Sequence, residues 1–238
     1  MRLSDIFRRK QQELKKEKVE ELISLARSYQ EKLLEVARGK IDAEDLLGIL
    51  NCAKLDTGYH LAMRDVDYKT DDIGDNSWLY CHQGNEKSYK RNAKFNRKCW
   101  PDDFINESYE VFYHMRIEMS EMGAWQAYLL SVASTMLPAV WHGQYNSRRY
   151  LYTQDDAVAM GPIMHFFPFK RKIIEIKSDL SPKIWLMGNI VYVSSCYWNN
   201  WKGVVRETIA FQFKDDRIVG AKREDETIVY RYFNPSRY

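Results

Sequence analysis

The alternation of hydrophobic and polar positions is clearest in the last quarter of the chain, from Ile184 to Phe233. Segments rich in β-branched and aromatic residues are divided there by two turn signals, Trp198-Asn199-Asn200-Trp201 and Lys214-Asp215-Asp216-Arg217. Asn and Asp tolerate the positive φ that two-residue hairpin turns require, so the pattern predicts a long antiparallel meander. With Asn199-Asn200 as the first loop, Tyr192 stands opposite Glu207, Ile190 opposite Ile209, and Leu186 opposite Phe213. With Asp215-Asp216 as the second loop, Phe213 pairs with Ile218, while Lys222 and Glu224 fall beside Ile209 and Glu207. Period-two alternation collects these residues on one face, and Leu186, Ile190, Ile209, Phe211 and Phe213 make it the face expected to be buried. Arg206 and Asp225 become cross-strand partners on the other face, where an ion pair is expected.

Earlier in the chain the period is helical. Residues 8–38 are dense in good helix formers. Val19, Leu22, Ala26, Tyr29, Leu33 and Ala37 recur at three- and four-residue steps, a single apolar stripe that should pack onto its own domain. Gly39 is a C-cap, and Asp42 an N-cap with Asp45 in the first turn of a helix running to about Lys54. Residues 56–103 read as irregular and polarised. Asp65, Asp67, Asp71, Asp72 and Asp75 are followed by Lys87, Lys90, Arg91, Lys94, Arg97 and Lys98, two solvated runs of opposite sign. A helix begins again near Pro101, and Met119 to Leu137 is richly apolar, limited by Pro138. The prediction is an α+β fold. An N-terminal helical and irregular segment, 1–100, precedes a domain over 101–238 in which a long helix lies against a strongly bent antiparallel sheet.

Composition changes this picture only modestly. The 238 residues are 45% hydrophobic and 14% aromatic, ample for a packed core. A net charge of +3 is too small to draw nucleic acid by itself. The basic run with Tyr89, Phe95 and Trp100 interleaved has the form of a single-strand footprint. The acidic run before it offers an internal partner, so no tight nucleic-acid binding is expected. The longest apolar region, Ala127 to Trp141, is shorter than the roughly 20 residues that span a bilayer, and no apolar leader begins the chain. Four scattered cysteines then predict a cytoplasmic protein with reduced thiols and no membrane partner.

Candidate chemistry centres on Glu207 and Tyr192. Facing each other on an apolar sheet face, with Glu224 beside them, they would suit proton transfer, because burial and a second carboxylate both disfavour ionisation. The alternative is that both carboxylates are solvated at the sheet's rim. Asp56-Thr57-Gly58 matches an aspartic-protease tripeptide but has no second copy, so it reads as a turn. Cys81, His82 and Cys99 lack the close spacing of a zinc site, and the Asp65–Asp75 run puts Lys69 where a calcium loop needs oxygen. No metal and no cofactor are predicted.

A long helix ending in Met136-Leu137-Pro138-Ala139-Val140-Trp141-His142-Gly143, a variable segment, and then a meander carrying Phe211-Gln212-Phe213-Lys214-Asp215-Asp216-Arg217-Ile218-Val219 and Arg223-Glu224-Asp225 form a recognisable order. It resembles the SnoaL-like branch of the nuclear transport factor 2-like superfamily, over roughly residues 105–238. Asp216 stands where glycine is commoner in that family. The resemblance implies a curved sheet folded around helices as a cone, with a pocket at its open side. His142, Asp155 and His165 would then lie at the mouth, and Glu224, Ile190, Ile209 and Phe211 would line the wall around Glu207 and Tyr192. The family includes isomerases, cyclases, dehydratases and modules that only bind. Two functions follow as expectations. One is a pocket for an unknown small molecule, with Glu207 moving a proton and Tyr192 donating a hydrogen bond to developing negative charge. The other is a non-enzymatic assembly protein, in which the N-terminal helix docks a partner or a second copy as a homo-oligomer.

Overall fold

The computed structural model describes residues 14–64, 78–84, 110–136, 140–141, 144–145, 148–160, 176–199 and 202–231. The first helix, α1 (Lys16–Ala37), forms where the stripe predicts it and buries Leu22, Ile23, Ala26, Tyr29, Leu33 and Val36. Gly39 ends it at φ +66°, donating its N–H to the Val36 carbonyl at 2.9 Å. That left-handed conformation costs glycine little.

Asp45 does accept the Asp42 N–H, at 3.0 Å, but the element it starts is only a 3-10 run, Ala43–Gly48. The chain turns out because the buried Gln126 amide competes for it. Gln126 Oε1 accepts the Cys52 N–H at 2.9 Å, and its Nε2 donates to Asn51 Oδ1 at 2.7 Å. From there β1 (Ala53–Leu55) runs antiparallel to β4 (Met115–Ile117), so tertiary pairing overrides the helical composition up to Lys54. Asp56-Thr57-Gly58 is the turn expected of it, with Gly58 at φ +81°. Inside the stretch read as irregular, β2 (Tyr59–Arg64) and β3 (Trp78–Gln83) make an antiparallel ribbon. The acidic run from Asp65 and the basic run from Lys87 lie outside the described residues, as does Cys99.

The expected long helix is two pieces, α2 (Glu121–Ser131) and α3 (Ala133–Met136). Ser120 caps α2, its Oγ accepting the Gly123 N–H at 3.1 Å. Every residue from Gly123 to Leu130 is buried, which explains the missing stripe: a helix enclosed on all sides has no polar face to alternate with. Trp125 Nε1 donates to the Leu22 carbonyl at 2.8 Å and ties α2 to α1. The short β5 (Val140–Trp141) and β6 (Gln144–Tyr145) pair with each other.

The main sheet comprises β7 (Arg149–Leu151), β8 (Lys183–Met187), β9 (Ile190–Asn199), β10 (Gly203–Lys214) and β11 (Arg217–Arg231), with α4 (Gln154–Met160) following β7. Its order is β11-β10-β9-β7, β8 also pairing with β9, and every pairing is antiparallel. The protein is therefore mixed helix and antiparallel sheet, and among the described residues the sheet stays open.

The two hairpins fare differently. Asp215 and Asp216 take φ of 50° and 56°, and Phe213 pairs with Ile218 as the turn chemistry requires. The first hairpin is longer than two residues. Asn199 itself pairs with Gly203, which takes φ +96°. This moves the register by three, an odd number, so the predicted cross-strand partners are separated. Glu207 stands opposite Ser195, and Tyr192 opposite Ala210. The core face carries Val191, Val193 and Tyr197 with Val205, Ile209 and Phe211, all buried. Ile209, Phe211 and Phe213 were assigned to the correct face. Ile190 belongs to the other face, and Leu186 is 44% exposed. Arg206 reaches the Ser181 and Asp179 carbonyls on its face instead of Asp225.

One hydrophobic cluster joins α1, α2, β1, β4, β9 and β10. A long-range ion pair closes its lower edge, where Asp56 meets Arg217 Nη2 at 2.6 Å and Arg116 Nε at 3.5 Å. The Arg217 hydrogen bond holds the Asp56 carboxyl below the usual carboxylate range. A depressed acid stabilises the fold above its unfolded pKa, and that contribution is lost as pH falls through the lower, folded one. Asp56→Asn should therefore lower the melting temperature at neutral pH, and the gap from the native protein should close as the pH drops below about 4. Melting curves across pH 2.5–7 read this directly, and a gap that persists in acid would exclude the pair as its source.

Packing gives a second prediction. A Cβ on Gly123 would meet the Glu118 carbonyl oxygen at 2.0 Å and Ile117 Cγ2 at 3.3 Å, whereas one on Gly48 meets nothing within 4 Å. Gly123→Ala should cost at least about 1–3 kcal/mol in denaturant unfolding, because the clash is with backbone. Gly48→Ala should change stability by less than about 0.5 kcal/mol.

Candidate functional site

Glu207 is the only carboxylate among the fully buried polar groups described, at 0% exposure on the core face of β10. The residues that satisfy it come from three places. Tyr128 of α2 donates its hydroxyl to Oε1 at 3.0 Å. Arg148, just ahead of β7, puts Nη1 3.1 Å from Oε1 and 2.9 Å from Oε2. Tyr150 of β7 places its hydroxyl 3.5 Å from Oε1, and Arg223 Nε lies 3.5 Å from Oε2.

Local folding explains this convergence. β7 pairs with β9 through Tyr150↔Tyr197, which sets both rings on the face that carries Glu207. Tyr128 packs edge-on to Tyr150 at 5.7 Å and stacks on Trp125 at 5.2 Å. The Arg148 guanidinium lies over the Tyr197 ring, 4.3 Å from its centroid, a cation–π contact. Tyr197 passes the network outward, donating its hydroxyl to Glu226 Oε2 at 3.2 Å. Glu226 also pairs with Lys202, and with Arg223 Nη1 at 3.7 Å.

Protonation states follow from these contacts. Burial, then Tyr150 and Glu207, push the Tyr128 phenol well above its usual pKa, so it stays protonated and donates. Burial works against the charge of Arg148, but Glu207 and the tyrosines outweigh it and raise the guanidinium's pKa. Burial also opposes ionisation of Glu226, yet Lys202, Tyr197 and Arg223 hold its carboxyl below the ordinary range. The result is a buried carboxylate with both oxygens engaged, set in tyrosines, with its cations graded toward the surface. Arg148 is 18% exposed, Arg223 20% and Lys202 45%.

The other residues singled out in the sequence are dispersed. Tyr192 lies on the opposite face, stacked on Trp185 at 5.1 Å with rings 3° from parallel. Burial and then Glu224 raise its pKa, so those two are near each other and across the sheet from Glu207. Glu224 is exposed and pairs with Lys222 at 3.4 Å. Ile190 packs beside Trp185 and Tyr192. Ile209 and Phe211 follow Glu207 on the same face of β10 and are buried. Asp155 is exposed in the first turn of α4. His142 and His165 lie outside the described residues. Cys81 donates its thiol to the Val111 carbonyl, and burial pushes its pKa up to about 12. Among the described residues no cluster of three or more His, Cys, Asp or Glu could hold a metal. No described helix is long and apolar enough to cross a membrane.

Sequence reasoning missed Arg148, Tyr128, Tyr150 and Tyr197. The alternation Arg148, Tyr150, Tyr152 was a usable strand signal, but no turn ties that three-residue strand to its distant partner. Comparison with known proteins finds no family model, no curated protein and no solved structure that matches this chain.

Removing one partner of a buried pair costs more than replacing the charge, since it strands the other. Arg148→Ala should destabilise by about 3–5 kcal/mol, and Glu207→Gln by less, because an amide still accepts from Tyr128 and Arg148 can hydrate through its exposed edge. Chemical denaturation of both variants checks the order, and a costlier Glu207→Gln would reverse the assignment of which charge is trapped.

Proposed function

We propose that α2 and the open antiparallel sheet make a cone-like fold, of the kind the SnoaL-like resemblance implies, that binds a small molecule at the Glu207–Arg148 cluster. The carrying observation is the cluster itself: an ion pair and four tyrosines, Tyr128, Tyr150, Tyr152 and Tyr197, set against the hydrophobic core. Such a network is a poor route to stability, since well-packed apolar residues serve as well or better. Aromatic walls with a few convergent polar groups are what a ligand site needs.

The geometry favours binding over proton transfer. Both oxygens of Glu207 already accept from Arg148, and Oε1 also from Tyr128, which leaves neither aimed at a substrate proton. Tyr192, the intended hydrogen-bond donor, stands on the other face. The stripe from Val19 to Ala37 packs on the protein's own core, with Leu22, Ala26, Tyr29 and Leu33 buried, which leaves less of it to support the assembly reading.

A fragment screen followed by NMR tests the proposal. Hits should perturb resonances of Tyr150, Tyr197 and the Arg148 side chain. Hits confined to the cleft of about 340 Å3 beside α1, lined by Glu20, Ile23, Arg27, Glu31 and Thr153, would count against it.

A further inference from the structure

The β2–β3 ribbon, on a different sheet from Glu207, sets His60 directly opposite His82. Opposed residues share one face of a ribbon, and this face is the reverse of the one carrying the buried Leu61–Cys81 pair. The two imidazoles stand 5.7 Å apart between centroids, with planes 35° from parallel. Metal–nitrogen bonds of about 2.0–2.1 Å put two ligating imidazoles about 5–6 Å apart on this measure, so the pair is at bridging distance. Each ring also has a nitrogen to offer. Nδ1 of His60 lies 2.6 Å from Oε1 of Glu44, in the 3-10 run Ala43–Gly48. A carboxylate only accepts, so Nδ1 carries the proton and the neutral ring keeps its lone pair on Nε2. A histidine oriented by a carboxylate in this way is the usual arrangement around a bound metal. His82 is 8% exposed, and its Nδ1 is closed off from solvent without a hydrogen-bond partner. An orphaned buried nitrogen in a native fold asks for an ion or a water. No hydrogen bond fixes Nδ1, so the ring can turn about Cβ–Cγ to meet one. Cys81 takes no part, since its thiol is given to the Val111 carbonyl.

We propose that His60 and His82 bind a divalent ion of the borderline class, Zn²⁺, Ni²⁺ or Cu²⁺, between Nε2 of His60 and Nδ1 of His82. Imidazole nitrogen suits these ions, whereas Mg²⁺ and Ca²⁺ demand oxygen. Glu44 stays one step out and orients His60. The ligand set is therefore two imidazoles, smaller than the three-residue clusters that are absent among the described residues. Water completes the coordination on the His60 side, where that side chain is 54% exposed. A bound ion would clamp β2 to β3 and, through Glu44, to the 3-10 run. The site does not depend on the binding reading of the Glu207 cluster.

The test strips the full chain with a chelator and titrates it with Zn²⁺, Ni²⁺ and Cu²⁺, beside Mg²⁺ and Ca²⁺, using calorimetry and melting curves. The first three should bind and raise the melting temperature, Cu²⁺ most tightly, while Mg²⁺ and Ca²⁺ should do neither. NMR of the imidazole nitrogens should show Zn²⁺ shifting His60 and His82. His60→Ala removes a ligand at an exposed position, so without metal it should melt close to the native protein, and it should weaken Zn²⁺ by more than about tenfold. Glu44→Gln leaves both imidazoles and should weaken Zn²⁺ by about tenfold through loss of the orienting carboxylate. His82→Gln should abolish the shift at His60, with its melting curve showing whether it is folded. Zinc affinity unchanged in His60→Ala overturns the proposal, as does a zinc-induced shift confined to other histidines. Failure of all three ions to bind below millimolar concentration overturns it too.

Discussion

The structure is organised around a charge that the sheet places where only apolar groups belong. Position 207 is on the core face of the central strand β10, between Val205 and Ile209. An unpaired carboxylate there would cost several kcal/mol, so the surrounding elements must deliver donors to it. That constraint accounts for features that otherwise look unrelated. Tyr128 faces the sheet from α2, Arg148 enters just before β7, and β7 adds to β9 so that Tyr150 and Tyr197 share the Glu207 face. Removing the charge would leave little reason for so many hydroxyls and guanidinium groups at that end of the core.

What was legible in the sequence was local. The α1 face, the Gly39 cap and the turns at Gly58 and Asp215-Asp216 each depend on a few neighbouring residues, and each stands as read. The aspartate pair succeeded because consecutive positive φ values admit few loop geometries. The Asn199-Asn200 turn failed because Gly203, three residues on, supplies the positive φ and Asn199 joins the ladder. An odd shift exchanges the faces of a strand, so one misread turn moved Tyr192 away from Glu207.

What was not legible depended on distant partners. The three residues of β7 carry no turn signal that announces pairing with β9, yet that pairing brings in Tyr150 and, from the positions on either side of the strand, Arg148 and Tyr152. Likewise, Leu46 to Lys54 is helical in composition, but Gln126, more than seventy positions away, holds the Asn51–Cys52 backbone and starts a strand. The core-buried α2 hides its own orientation because a helix apolar on every side has no moment to read.

The edge strand β11 shows how such a site can be tuned without changing the fold. Its pairing with β10 shifts register between Gln212 and Phe213, between Thr208 and Ile209, and between Val204 and Val205. Each shift inserts one residue and exchanges the face of everything beyond it. In an unbroken ladder from the Asp215-Asp216 turn, Gly220, Lys222 and Glu224 would face the core. The first shift replaces them with Ala221 opposite Phe211 and Arg223 opposite Ile209, and the second brings Glu226 opposite Glu207. The bulges therefore exchange a flexible ammonium for a guanidinium beside the buried carboxylate, and turn Glu224 out to solvent. A bulge re-aims a side chain while the hydrophobic ladder around it stays intact. The placement of Arg223, Glu224 and Glu226 is thus set by two local insertions, which no reading of alternation alone could supply.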